Sequence, residues 1–79
     1  EKAVEALSSA YASETEVEVK LGIIDTLAQI EDPRAMRKLI EIARAEKVHE
    51  LRKRAVFWIA ESDDPESGKY LEELLKAGE

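Results

Sequence analysis

The sequence predicts an all-α fold, with about five helices stacked as a 32-residue repeat into an α-α superhelix. Three observations carry that prediction. The dipeptides Asp32-Pro33 and Asp64-Pro65 stand 32 residues apart. A shift by that interval lays one apolar frame on another. Within each frame the apolar residues recur with the helical period, and no stretch alternates with period two long enough to argue for a strand.

The shift places Val19 on Leu51, Ile24 on Val56, Leu27 on Ile59, Ala28 on Ala60, Leu39 on Leu71 and Ile42 on Leu74, while surface residues change. Applied backwards, it places Ala35 on Ala3, Met36 on Val4 and Leu39 on Leu7. The chain therefore reads as a half unit over 1–13, a unit over 14–45 and a unit over 46–79, together one domain. Such a beginning fits a piece of a longer array.

The predicted helices span 2–12, 16–30, 33–45, 48–61 and 66–77. Val4, Leu7 and Tyr11 form the exposed edge of the first, with no partner unit before them. Val17, Leu21, Ile24, Leu27 and Ala28 make one face of the second, at spacing i, i+4, i+7, i+10 and i+11. Met36, Leu39, Ile40 and Ala43 do so in the third. Leu51, Ala55, Val56, Ile59 and Ala60 form the face of the fourth; Leu71, Leu74 and Leu75 form that of the fifth, which is the better capped end.

The Asp-Pro pairs set the boundaries. An Asp side chain accepts from the free amides of a first helical turn. Proline suits the first helical position, where its missing N–H has no partner to lose. It also drives the residue before it out of the α region, which ends the preceding helix. Gly78 stands where a C-terminal cap is expected.

Composition narrows the function classes. At 79 residues with 38% charged and 44% hydrophobic content, the chain is too apolar for a disordered tail and too charged for a membrane span. With no cysteine there is no disulfide and no thiolate metal site. The chain starts at Glu1 without a signal peptide, which leaves localisation unknown and slightly favours the cytoplasm.

Catalytic constellations are lacking. His49 is the sole histidine, and scattered Glu46 and Glu50 make a poor metal set with it, so it reads as structural. Ser8, Ser9, Ser13, Ser62 and Ser67 lie in no nucleophile turn; Ser13 and Ser62 fall at helix ends, where bonds to local backbone explain them. Three glycines are too sparse for a phosphate loop. The expectation is no enzyme, no cofactor and no metal.

The segments "EVKLGIIDTLAQIEDPRAMRKLIEIA" and "ELRKRAVFWIAESDDPESGKYLEELL" resemble HEAT-like repeats of the short bacterial type, also found in phycobilin lyase subunits. Val19-Lys20, Ile23-Ile24, Leu27-Ala28, Asp32-Pro33 and Leu39 carry the resemblance in one unit. Leu51-Arg52, Ala55-Val56, Ile59-Ala60, Asp64-Pro65 and Leu71 carry it in the next. Lys20 stands where the family has Arg, and Phe57 and Trp58 stand where the first unit has Asp25 and Thr26. The resemblance implies a right-handed superhelix that binds a protein partner. It also implies that Arg52 packs at the unit junction and pairs with a neighbouring Asp, and that Trp58 packs in an interhelical groove where the family has a small residue.

Charge is uneven. Residues 1–33 carry net −6, residues 34–54 net +5 and residues 55–79 net −5. The basic middle allows two readings: an anionic partner, or a solvated face with pairs such as Arg37–Glu41. The candidate partner-binding residues are Arg34, Arg37, Lys38, Arg44, Lys53 and Phe57. Phe57, opposite Asp25 in the repeat, is either covered by the last helix or a loop, or contacts another chain.

The function expected is a non-catalytic scaffold for protein–protein interaction. The alternatives are an accessory domain or subunit of an enzyme, such as a lyase-type chaperone, or phosphate-backbone binding by the basic middle. The overall net charge of −6 argues against general nucleic-acid binding. No membrane partner is expected. Weak homo-oligomerisation through the N-terminal edge, residues 2–24, is expected because open helix faces leave apolar patches. On metal the sequence makes a direct prediction: adding a chelator leaves the thermal melting curve unchanged, and a shift of several degrees identifies His49 as a ligand.

Overall fold

The computed structural model describes residues 2–77, which form α1 (Lys2–Ser13), α2 (Val17–Ala28), α3 (Pro33–Ala45), α4 (His49–Glu61) and α5 (Pro65–Ala77). The architecture is all-α. The fifth helix begins one residue earlier than expected, at Pro65 itself. The second ends at Ala28 rather than 30, because Gln29 and Ile30 donate to the carbonyls of Thr26 and Leu27 three residues back (both 3.1 Å) and tighten its last turn. Gly78 lies outside the described residues.

Two kinds of link join the helices, and each recurs after 32 residues. Asp32 Oδ1 accepts from the Arg34 amide, and Asp64 Oδ1 from the Glu66 amide, both at 2.8 Å. The Asp32 and Asp64 carbonyls likewise accept from the Ala35 and Ser67 amides at 2.9 and 3.0 Å. These are the expected Asp-Pro caps. The second link went unnoticed in the sequence. Glu14 Oε2 accepts from the amides of Thr15 and Glu16 (3.2 and 3.0 Å), and Glu46 Oε1 from those of Lys47 and Val48 (3.2 and 3.3 Å). Each glutamate satisfies amides just ahead of a helix whose own cap residue, Glu16 or Val48, makes no side-chain cap bond. Ser13 and Ser62 bond local backbone as expected: Ser13 Oγ donates to the Ser9 carbonyl at 3.2 Å, and Ser62 Oγ accepts from the Asp64 amide at 3.0 Å.

Each helix packs against the next and against the next but one, and among the described residues no other helix pair meets. Helices α1, α3 and α5 therefore form one layer, and α2 and α4 a second. The molecule spans 33 × 25 × 15 Å, thin in the direction expected of two layers spaced about 10 Å apart.

The core lies between the layers. Ile24, Leu27, Leu39, Leu51 and Ile59 are its largest fully buried side chains. Leu27 and Ile59, one repeat apart, are both wholly buried, and Ala35 and Ser67, likewise one repeat apart, are both buried. The Ser67 hydroxyl is satisfied by the Asp64 carbonyl at 2.7 Å.

Several expected faces are corrected. Val4 and Tyr11 are buried, and Leu7 is half-buried against the core. The half unit thus closes its own edge against α2 and α3, and the expected patch of Val4, Leu7 and Tyr11 does not exist. The open apolar end is the other one. On α5 the anchors are Ser67 and Tyr70, whereas Leu71 is half-buried and Leu74 and Leu75 are 38% and 75% exposed. Leu39 is buried where Leu71 is not, because α4 and α5 pack on α3 and nothing described follows α5. Ala60 also faces solvent, so the buried stripe of α4 reduces to Leu51, Ala55 and Ile59. Val19 is 45% exposed although its repeat counterpart Leu51 is fully buried; α2 packs on α4, and among the described residues no helix stands in that relation to α2.

Leu39→Ala is expected to cost about 2–5 kcal/mol, as truncations of buried leucines do, and Leu71→Ala clearly less. Urea unfolding of the two variants measures the difference; equal costs contradict the burial described above.

Candidate partner-binding site

The buried positions of α3, Ala35, Met36, Leu39, Ile40, Ile42 and Ala43, occupy most of its circumference. Only one stripe is left to water: Arg34, Arg37, Glu41 and Arg44, at spacing i, i+3, i+7 and i+10. The basic residues of α3 are pushed together because the rest of the helix is used in packing. The stripe is a ridge on the α1–α3–α5 layer with a groove on either side. The groove toward α5 is lined by Arg37, Ile40, Arg44, Lys69, Tyr70 and Glu73. The shallower one toward α1 is lined by Tyr11, Lys38, Glu41 and Glu46, among others.

The six predicted residues do not form one site. Arg34, Arg37, Lys38 and Arg44 belong to α3. Lys53 and Phe57 belong to α4, in the other layer, where they line a third hollow with Asp25, Glu50, Arg54 and Trp58. Phe57 is 52% exposed and is covered by neither α5 nor a loop. Its ring stands edge-on to Trp58, with centroids 5.1 Å apart and planes at 73°. Trp58 packs against the core, half-buried, as the resemblance implied.

Ion pairs hold much of the predicted basic patch. Arg34 bonds Asp32 through Nε and Nη2 at 3.3 and 3.1 Å. Glu41 pairs with Lys38 at 2.8 Å, not with Arg37 as expected, so Arg37 has no ion-pair partner among the described residues. Arg44 reaches across to α5, where Nη2 donates to both Glu73 carboxylate oxygens, 2.7 Å to Oε2, and the guanidinium lies 5.5 Å from the Tyr70 ring centre. Arg52 pairs with no Asp: it is exposed, and its Nη1 donates to the Glu46 carbonyl at 3.4 Å. Arg54 makes the pairing with an Asp that was expected of Arg52, donating from Nη1 to Asp25 Oδ2 at 2.6 Å.

Two polar junctions escaped the sequence reading. Asp25 joins α2 to α4, accepting from Trp58 Nε1 at 2.8 Å as well as from Arg54. Glu46 joins α1 to the α3–α4 link, accepting from the Tyr11 hydroxyl at 2.5 Å, while Lys20 Nζ sits 4.9 Å from the Tyr11 ring centre. One signal for Asp25 was present: the repeat exchanges Gly22 and Thr26 for Arg54 and Trp58, two large donors four residues apart on one helix face. For Glu46, the interval to Glu14 was the signal.

These contacts move proton affinities. Partial burial pushes the Asp25 carboxyl up, but the hydrogen bonds from Trp58 and Arg54 and the Arg54 charge outweigh it and leave Asp25 below its ordinary value. Burial likewise pushes Glu46 up, and the bonds from Tyr11 and the Val48 amide bring it down overall. Burial, then the bond to Glu46, raise the Tyr11 phenol far above its usual range. Burial raises Tyr70 as well.

No protein-family model, curated protein or solved structure matches the chain. The described residues contain no group of three or more His, Cys, Asp or Glu placed to hold a metal ion, and His49 is exposed at the first position of α4. No described helix is long and apolar enough to cross a membrane.

The depressed carboxylates predict the pH response. A group whose native pKa lies below its unfolded one adds stability that is complete above the unfolded value, about 4. That stability is lost as pH falls through the native value. The wild-type chain is therefore expected to lose stability as pH falls below about 4, and Asp25→Asn to show a shallower loss over that window. Urea midpoints measured at a series of pH values decide it; parallel curves for the two proteins contradict the Asp25 junction.

Proposed function

We propose that the chain is a non-catalytic, HEAT-like scaffold that holds a protein partner along the α1–α3–α5 layer. One observation carries this reading: helices that pack only on the next and the next but one leave a whole layer of second helices open as a continuous surface. That is the packing of stacked two-helix units. The 32-residue recurrence of the Asp-Pro caps and the Glu14 and Glu46 links supports a superhelix of such units. The groove between α3 and α5 supplies the means of recognition. Arg37 and Lys69 offer cationic heads, and Ile40 and Tyr70 offer apolar lining. An extended peptide carrying an acidic side chain beside an apolar one fits that chemistry.

The same surface serves the reading of an accessory subunit that presents a substrate protein to an enzyme. Phosphate-backbone binding is less well supported, because Arg34, Lys38, Arg44 and Arg54 are already engaged by carboxylates within the chain.

Titration of the isotopically labelled chain with a panel of acidic-apolar peptides is expected to perturb Arg37, Lys69 and Tyr70, with Arg37→Glu weakening binding roughly tenfold or more. A gel shift with duplex DNA is expected to show no retention at physiological salt. Retention that falls steeply with salt and is abolished by Arg37→Glu replaces the protein-scaffold reading with phosphate binding.

A further inference from the structure

The pairing of Arg44 with Glu73 differs from the other ion pairs in how little holds it. Both side chains are more than half exposed, whereas each of the other three pairs has at least one partner less than half exposed. Asp25 and Asp32 have second tasks, with Trp58 and at the α3 cap. The Glu73 carboxylate holds nothing besides Arg44 among the described residues. The geometry of the pair is also incomplete. Arg44 offers both carboxylate oxygens one nitrogen, Nη2, and its Nε and Nη1 make no hydrogen bond among the described residues. A guanidinium grips a carboxylate best when two N–H groups meet two oxygens in parallel.

Arg44 is supported from another side. Its guanidinium lies over the Tyr70 ring, 5.5 Å from the centre, where the ring face attracts a cation. Tyr70 is 4% exposed, so this support is fixed in place. The Tyr70 hydroxyl makes no hydrogen bond among the described residues, yet it is not sealed from solvent. The charges of Arg44 and Glu73 both act on it. A buried side chain thus brings an unused donor to the groove it lines, beside an arginine with unused donors of its own.

Resting on the reading of the α3–α5 groove as a peptide site, we infer that Arg44 and the Tyr70 hydroxyl form a seat for one carboxylate side chain of the bound peptide, and that Glu73 occupies this seat in the free chain as a stand-in. The peptide carboxylate takes two Arg44 nitrogens, and Glu73 moves out into water. Losing the internal pair costs little, because exposed ion pairs contribute little. The exchange also selects: a neutral side chain cannot replace Glu73, so it leaves the seat closed. A carboxylate suits the seat better than a phosphate, because Glu66 and the displaced Glu73 stay in the groove and repel a second negative charge.

The test uses the intact chain and two defined probes, a capped Leu-Glu-Leu peptide and its neutral Leu-Gln-Leu counterpart, titrated by nuclear magnetic resonance. Glu73→Gln is expected to tighten binding of the acidic probe about two- to fivefold, the range that release of an exposed ion pair allows, with shifts at the Arg44 side chain and Tyr70. The neutral probe is expected to gain nothing. Glu66→Gln removes the same charge from the same groove but no ion pair, and is expected to give a clearly smaller gain. Adding Arg44→Gln to Glu73→Gln is expected to erase the gain, with an unchanged far-ultraviolet circular dichroism spectrum. Equal gains from Glu66→Gln and Glu73→Gln, or a gain that survives Arg44→Gln, reduce the effect to overall charge and overturn the inference. Weaker binding by Glu73→Gln also overturns it, because Glu73 then positions Arg44 instead of competing for it. Wild-type binding at Arg37 and Lys69 that Glu73→Gln leaves unaltered removes the seat and keeps the peptide groove. No binding by either protein at millimolar probe removes both.

Discussion

Everything in this molecule is arranged around the burial of α3. It is the helix that meets all four others, and six of its thirteen residues are buried. A helix packed on so many sides has one strip left for solvent. That constraint decides where its cations stand, which grooves flank them and how far the molecule's second layer can lean. The core side chains Leu27, Leu39, Leu51 and Ile59, drawn from α2, α3 and α4, are all at most 1% exposed. At about 25 cal/mol per Å² of apolar surface removed from water, such side chains outweigh anything the surface ion pairs contribute, since exposed pairs add about 0–1 kcal/mol each.

The charge pattern has a structural meaning that its one-dimensional form concealed. The basic middle between acidic ends looks like a binding patch. In three dimensions two of its arginines reach outward to the flanks, Arg54 to Asp25 and Arg44 to Glu73, each across 29 positions of sequence. The segment of one sign is central in the chain and central in the fold, so it can meet both segments of the other sign at once. Arg37 is left without an ion-pair partner among the described residues.

The helices, their order and the Asp-Pro caps were legible because each depends on short-range rules: periodicity, a side chain that reaches its own turn, a ring that forbids a conformation. Burial of Leu27, Leu39 and Ile59 was legible for the same reason. The ends were misread, because burial there depends on which neighbours are present and not on pattern. Leu71, Leu74 and Leu75 have the spacing of a buried face but lack a covering helix, while Val4 and Tyr11 find theirs in α2 and α3. The candidate site was legible residue by residue and not as a set. Arg37 and Phe57 are both accessible, the second settling a choice the sequence left open, yet they lie in different layers, and the pairings of Asp25 and Glu46 needed the third dimension to be seen.

Packing limited to the next helix and the next but one also governs how the chain acquires its structure. No contact between helices closes a loop longer than two helical segments, so the entropy lost in forming each is small. Low contact order of this kind goes with folding in microseconds to milliseconds. It also makes cooperativity a matter of neighbours: α1 is held only by α2 and α3, and α5 only by α3 and α4, so either end can fray while the α2–α3–α4 body stays folded. Amide exchange would then be slowest at α3 and faster toward both terminal helices.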